Sequence, residues 1–191
     1  MRRVLFIRHG ATAGNLERRY VGRTDEPLCP EGEKALMPRS GSMPVPDALF
    51  VSPMLRARRT AEILFPGVRQ TVCGDLRETD FGMFEGRTAS ELASCPEYSA
   101  WVDGNCEGPI PGGEDVSGFK ARCREAFLAS IDTVPEGGFA VFVAHGGVIM
   151  AILEALAVPK KAFYEYHIGN GQSVQCIEQS RVLTVISDLK Q

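Results

Sequence analysis

The chain has 191 residues, 44% of them hydrophobic and 24% charged, with a formal net charge of -3. That length suits one domain with a sizeable core and leaves little room for two, so a single domain over residues 1–191 is expected. The negative balance excludes a nucleic-acid binder driven by bulk positive potential. No apolar run is long enough for a signal-peptide core or a bilayer span, so a cytoplasmic location with no membrane partner is expected.

Val4, Leu5, Phe6 and Ile7 run without alternation, the pattern of a strand buried on both faces of a sheet. Arg8, His9 and Gly10 follow at once, putting a fixed cation and a titratable imidazole at the carboxyl end of that strand, where open α/β sheets keep their ligand crevices. Residues 11–25 have no clear period and carry Gly14, Gly22, Arg18, Arg19 and Arg23. They read as a loop with a short helical turn, lying over the crevice. Pro30-Glu31-Gly32-Glu33 opens a short helix that Pro38 ends, and residues 41–46 form a connector.

Residues 47–52 form the second expected strand, followed by a helix over 55–64 with Ala57, Ala61 and Leu64 on one face. Arg56 then sits in the first helical turn at the crevice edge, where backbone N–H groups and the helix dipole favour an anion. A third strand over 70–73 leads into a loop, 76–87, whose Glu78, Asp80 and Glu85 are candidates for general acid work. A short helix is expected over 88–96, a Pro/Gly-rich loop over 106–113, and the longest helix over 114–131. Its stripe of Val116, Phe119, Cys123, Phe127 and Ile131 reads as core.

Residues 140–147, AVFVAHGG, repeat the opening pattern: a buried strand ending in His145 and Gly146. A helix over 147–157 follows, closed by Pro159, and two strands over 173–177 and 181–186 flank a Gln179-Ser180 turn. Strand and helix alternating over short connections favour a three-layer α/β/α sandwich with a mostly parallel sheet and room for one antiparallel strand. Six scattered cysteines without a C-x-x-C pair argue against a disulfide framework or a zinc site.

Charge is unevenly spread. Residues 1–69 hold eleven Arg and one Lys against seven acidic residues, a surplus of five positive charges, and the remainder is acidic. Arg suits bidentate binding of phosphate or carboxylate, although a GC-rich coding preference also raises it, so only the Arg at strand ends and helix starts count. Two guanidiniums from Arg8 and Arg56 can hold the non-bridging oxygens of a phosphoryl group. A neutral imidazole in line with the leaving oxygen can attack phosphorus, giving a phosphohistidine that water hydrolyses. Adjacent Arg charges oppose imidazolium formation, and a hydrogen bond from the other ring nitrogen to a carbonyl would fix the tautomer. His9 suits that role better than His145, which can donate to the transferred group, while one of the loop acids protonates the leaving oxygen. This chemistry requires no metal and no cofactor. Gly22 and Gly146 join the phosphate-binding candidates. Arg23 and Asn170 are candidates for contact with the organic part of the substrate, and His167 has no identifiable partner.

The motifs RHGATAGN, SPMLRARRTAE, RETDFGMFEGRT, PGGED and AHGG, in this order along nearly the whole chain, resemble the histidine phosphatase (phosphoglycerate mutase-like) superfamily. The resemblance implies that the position matching His9 is the phosphorylated nucleophile. It also implies that those matching Arg8, Asn15, Arg56 and His145 line the phosphate pocket, that Glu78 is the proton donor, and that the sheet is the family's mixed α/β sandwich. Residues 22–32, GRTDEPLCPEG, and the ETDFGMFEG segment are most similar to the α-ribazole phosphatase-like branch, which acts late in assembling the lower loop of cobalamin. Cofactor-dependent mutases carry a longer insertion between the proton donor and the second histidine, for which residues 79–144 leave little room. Ala11 stands where Glu is common after Arg-His-Gly, and Cys29 where Thr or Ser is usual.

The expected activity is a metal-independent phosphomonoesterase acting on a small-molecule phosphate monoester, with α-ribazole 5'-phosphate or a broad set of esters as substrate. The alternatives are a cofactor-dependent phosphoglycerate mutase and a catalytically silent phosphate-sensing or scaffold domain. A silent relative would be expected to lose His9, His145 or Glu78, and all three are present. Monomer and homodimer are equally open.

Overall fold

The structure, a computed structural model, describes residues 1–189. In chain order the elements are β1 (Arg2–Arg8), α1 (Ala13–Leu16), α2 (Pro30–Leu36), β2 (Ala48–Val51), α3 (Leu55–Leu64), β3 (Gln70–Val72), α4 (Ala89–Leu92) and α5 (Pro96–Asp103). Then come α6 (Val116–Ile131), β4 (Phe139–Ala144), α7 (Gly146–Leu156), β5 (Ala157–Val158), β6 (Ser173–Gln179) and β7 (Val182–Leu189). The strands form one sheet in the order β3-β2-β4-β1-β6-β7-β5. Only β6 runs against its neighbours, so the sheet is mixed and mostly parallel.

The unalternating apolar runs of β1 and β4 follow from burial on both faces. Leu5, Ile7, Val141 and Val143 point to one side, where they meet Ala57, Ala61 and Leu64 of α3 and Leu36 of α2. Val4, Phe6, Ala140 and Phe142 point to the other, against Phe127 and Ile131 of α6 and Val148 and Ile152 of α7. Phe142 stacks on Phe50 at 4.9 Å, and Phe6 lies 5.5 Å from Phe127. Each fully buried aliphatic or aromatic side chain contributes roughly 1.5–3 kcal/mol. Two such layers clamp the central strands, so their carboxyl ends form a fixed edge.

Two adjustments to the expected elements have clear causes. The helix expected over 88–96 is α4 alone, closed after one turn. Thr88 caps it through a reciprocal box with Glu91, and a second helix, α5, begins at Pro96. A proline has no N–H to continue a helix but suits the first turn of a new one. Helix α5 carries Trp101 onto Phe84, Leu92 and Ile110, a small cluster apart from the sheet. The short edge strand β5 pairs with β7 and takes Ala157 out of the helix expected over 147–157, and a 3-10 turn follows at Phe163–Tyr166. Among the described residues no helix is long and apolar enough to cross a membrane.

Candidate active site

The site is built by the register of three parallel strands. Arg8 of β1 pairs with Ala144 of β4, and Val51 of β2 pairs with Val143, so the next residues, His9, His145 and Ser52, emerge together at one edge. Backbone bonds pin them there: His9 N–H donates to the Ala144 carbonyl and Ser52 N–H to the Val143 carbonyl, both at 3.0 Å. The two imidazoles stand 5.1 Å apart, centroid to centroid, at 63°.

His9 is buried, and its Nδ1 lies 2.6 Å from the Gly10 carbonyl. A carbonyl can only accept, so Nδ1 carries the proton and Nε2 keeps its lone pair. The turn behind the ring is tied down from both sides. Gly10 N–H donates to Thr60 Oγ1 at 3.0 Å, and Asn170 Nδ2 donates to the His9 carbonyl and to Asn15 Oδ1. Burial, then the Arg56 and Arg8 charges, push the His9 pKa well below the usual imidazole value, against the pull of the Gly10 bond. The ring is neutral at neutral pH.

His145 is held by a different atom. Its Nε2 lies 2.7 Å from Ser52 Oγ, which also accepts from Met54 N–H at 3.4 Å. Assigned with the serine hydroxyl donating to Nε2, the imidazole carries its proton on Nδ1. That Nδ1 is buried without a hydrogen-bond partner among the described residues. Burial, His9 and the two arginines hold the His145 pKa well below its ordinary value as well.

Arg56 is fully buried, and its Nη atoms donate to the carbonyls of Thr24 and Gly22, both at 2.8 Å. Arg8 Nη1 donates to the Ile168 carbonyl at 2.8 Å. The Nε of each guanidinium is buried without a hydrogen-bond partner among the described residues. Removing such a cation from water costs several kcal/mol even after relaxation, and a buried donor left unpaired adds about 1–3 kcal/mol. Three unpaired N–H donors, from Arg8, Arg56 and His145, with the buried Arg56 charge and the half-buried Arg8 charge beside a free imidazole nitrogen, fit a tetrahedral anion.

Glu78 closes the constellation. Its two oxygens accept from Thr79 N–H at 3.0 Å and from Gly147 N–H, in the first turn of α7, at 3.1 Å. Burial raises its pKa, and this outweighs the opposing pull of those two N–H groups and of Arg56 and Arg8. The carboxyl therefore tends to hold a proton inside the pocket. From below, Arg122 of α6 donates to the Asp75, Arg77 and Glu78 carbonyls at 2.7, 2.8 and 3.1 Å. Its guanidinium is fixed by both oxygens of Glu114 at 2.6 and 2.7 Å.

The other loop acids are consumed elsewhere. Glu85 accepts from the N–H groups of Gly22, Arg23 and Phe81 and from the Thr24 hydroxyl, stitching two loops together. Asp80 accepts from Gly82 N–H and pairs with Arg23 at 3.2 Å. Arg23 itself is 65% exposed. Gly22 serves through its backbone: a Cβ there would lie 1.8 Å from the Thr79 carbonyl oxygen. Gly146 packs against Arg8, whose Cζ would be 3.4 Å from an added Cβ. Asn15 and Asn170 bond each other behind the His9 turn, and His167 is exposed. Sequence reasoning missed Ser52, Thr60, Glu114 and Arg122 as supports. For Ser52 a signal existed: it ends a strand next to the one that delivers His145.

Such a fold and pocket define a phosphoryl-transfer enzyme centred on two histidines. The chain belongs to the histidine phosphatase superfamily (branch 1), whose family model matches residues 4–188. It is 36% identical over 155 residues to the Salmonella choleraesuis protein named "Probable phosphoglycerate mutase GpmB", covering 76% of this chain and 70% of that one. A phosphoglycerate mutase from Thermus thermophilus superposes with a TM-score of 0.76 at 32% identity, over 99% of both chains. The α-ribazole phosphatase of Shigella flexneri gives a TM-score of 0.86 over 98% of this chain and 96% of that one. At 23% identity this is a likeness of fold.

Proposed function

We propose that the protein is a metal-independent phosphomonoesterase working through a phosphohistidine on His9. The observation that carries this reading is a neutral nucleophile and a half-buried acid with a raised pKa flanking one cationic pocket. His9 Nε2 attacks phosphorus while the bond to the leaving oxygen breaks, and Glu78 gives that oxygen its proton. Arg8, Arg56 and His145 Nδ1–H hold the charge spread over the non-bridging oxygens. Glu78, now a carboxylate, takes a proton from water as the water oxygen attacks the phosphohistidine. Inorganic phosphate leaves and His9 is restored.

A mutase would use the same pocket, and the names of the curated relatives favour that second reading. Hydrolysis is supported by the short 79–144 segment and by the wide chamber that opens on the acid side of the pocket, which gives water access to the intermediate. α-Ribazole 5'-phosphate is the physiological ester that the 22–32 and 78–86 segments favour, in which case the protein serves cobalamin assembly in the cytoplasm. Phosphate release from p-nitrophenyl phosphate in excess chelator is the expected result, abolished in His9→Ala. Isomerisation of 3-phosphoglycerate faster than phosphate release, dependent on a bisphosphate primer, would establish the mutase instead.

A further inference from the structure

Beyond Glu78 and Gly147 the pocket continues into a chamber of about 570 Å³, a volume suited to a multi-ring organic group. Glu78 lines this chamber, whereas His9 and Arg56 do not. An acid that protonates the leaving oxygen stands at that oxygen, so whatever alcohol the oxygen belongs to must lie on the chamber side.

Aromatic side chains make up a third of the chamber's lining residues. Six such side chains line it: Tyr20, Phe81, Trp101, Phe119, Phe163 and Tyr164. Tyr20 is locked in place by rings at 5.2 Å (Phe81) and 5.9 Å (Trp101), with its hydroxyl bonded to Tyr98 at 2.9 Å. The wall therefore exists before any ligand arrives, and binding a flat group costs little reordering.

Charge in the chamber points the same way. Among the described lining residues the one cation is Lys120, and its ammonium is already held by Glu107 at 3.0 Å and Glu154 at 2.9 Å, over the Phe163 ring. A carboxylate or second phosphate on the leaving group would meet two fixed carboxylates and no unengaged positive charge. Such a group would be repelled by Glu107 and Glu154 and would pair with Lys120 only by displacing one of them.

We propose that the substrate is a phosphomonoester whose alcohol part carries an aromatic or similarly flat apolar ring and no anionic group, selected by the Tyr20–Trp101–Phe163 wall. This rests on the phosphomonoesterase reading and narrows it. Phosphoglycerates, small and anionic, fall outside the class.

The test measures phosphate release by the full chain from three alkyl esters: 2-(1-naphthyl)ethyl phosphate, ethyl phosphate and 3-phosphoglycerate. The naphthyl and ethyl esters have closely similar leaving groups, so their difference reports the chamber. The expected kcat/KM for the naphthyl ester exceeds that for ethyl phosphate by about 30-fold, the return for burying a ring system. Phe163→Ala, at the half-buried rim, and Trp101→Ala, in the wall, should each shrink that ratio. Two measurements keep the test sound should the buried Trp101 variant fail to fold: the Phe163→Ala ratio itself, and a double variant. Glu107→Gln with Glu154→Gln should release Lys120 and raise the 3-phosphoglycerate to naphthyl ester ratio by about tenfold. Equal or better use of 3-phosphoglycerate by the wild type, or ratios unmoved in Phe163→Ala and the double variant, overturn the inference alone. No release from any ester, with no phosphate trapped on His9, overturns the hydrolase reading and this inference with it.

Discussion

His9 and His145 meet ring to ring at 5.1 Å because adjacent parallel strands end in register, yet the two rings are tied by different atoms. Nδ1 of His9 is spent on the Gly10 carbonyl, whereas Nε2 of His145 is spent on Ser52. One ring thus presents a lone pair to the pocket and the other an N–H. A nucleophile and a donor arise from the same side chain by a choice of backbone and hydroxyl partners.

Replacing these rings should therefore have unlike effects. His9→Ala should reduce turnover to background and leave no acid-labile, base-stable phosphate on the protein in rapid-quench labelling. His145→Ala should still form the intermediate but lose about 10²–10³-fold in rate, as removal of one donor to a developing negative charge does. Trapped phosphate in His9→Ala would move the nucleophile elsewhere.

Glu78→Gln should cost about 10²–10⁴-fold on an alkyl phosphate and far less on p-nitrophenyl phosphate, whose leaving group needs little protonation. The pH profile has a definite sign. The working form has His9 neutral and Glu78 protonated. Since the His9 pKa lies well below 6.5, the acid limb is displaced below that pH. Since the Glu78 pKa lies above 4.5, activity falls as pH rises through that raised value. In Glu78→Gln the alkaline limb should vanish on the same alkyl ester, where the substrate's own second ionisation, about 6, is common to both enzymes.

Arg122 grips the carbonyl of Glu78 and two carbonyls before it, and Glu114 grips Arg122. Arg122→Ala should let the acid drift, with a loss on the order of 10- to 100-fold on alkyl phosphates and a small one on p-nitrophenyl phosphate. The discriminating measurement is the double variant. In a Glu78→Gln background, Arg122→Ala should add no further loss on the alkyl ester, whereas a general destabilisation would add its full effect.

Much of this was legible in the chain because period and punctuation carry it. The double-buried runs of β1 and β4 and the His-Gly pairs that end them fix both the edge and its chemistry, and the 70–73 segment falls within one residue of β3. Glu78 was not separable from Asp80 and Glu85 by residue type. What separates them is that Glu85 is surrounded by N–H donors from the 21–24 loop, while Glu78 alone is carried under α7. Ser52 and Arg122 escaped for a similar reason: their partners are a ring and a set of carbonyls brought close only by strand order and helix packing. Sequence spacing contains neither. The break into α4 and α5 was marked by Pro96, whose role as a helix start is visible only once Thr88 and Glu91 have closed the preceding turn.

Two glycines on either side of the Glu78-Thr79 turn should respond differently to an added methyl group. At Gly22 a Cβ would fall 1.8 Å from the Thr79 carbonyl oxygen, a backbone atom that cannot step aside without moving the loop. Gly22→Ala should destabilise by about 1–3 kcal/mol, as overpacking does, and in a domain of this size each kcal/mol lowers Tm by about 2–4 °C. At Gly147 the Cβ would fall 2.5 Å from Glu78 Oε1, the end of a side chain that can swing. Gly147→Ala should melt close to the wild type but lose activity on alkyl phosphates, because the carboxyl is displaced from the leaving oxygen. Thermal melts and kcat/KM on paired alkyl and nitrophenyl esters read both. A Gly147→Ala enzyme with full alkyl activity would mean that the proton does not come from the position Glu78 occupies against α7.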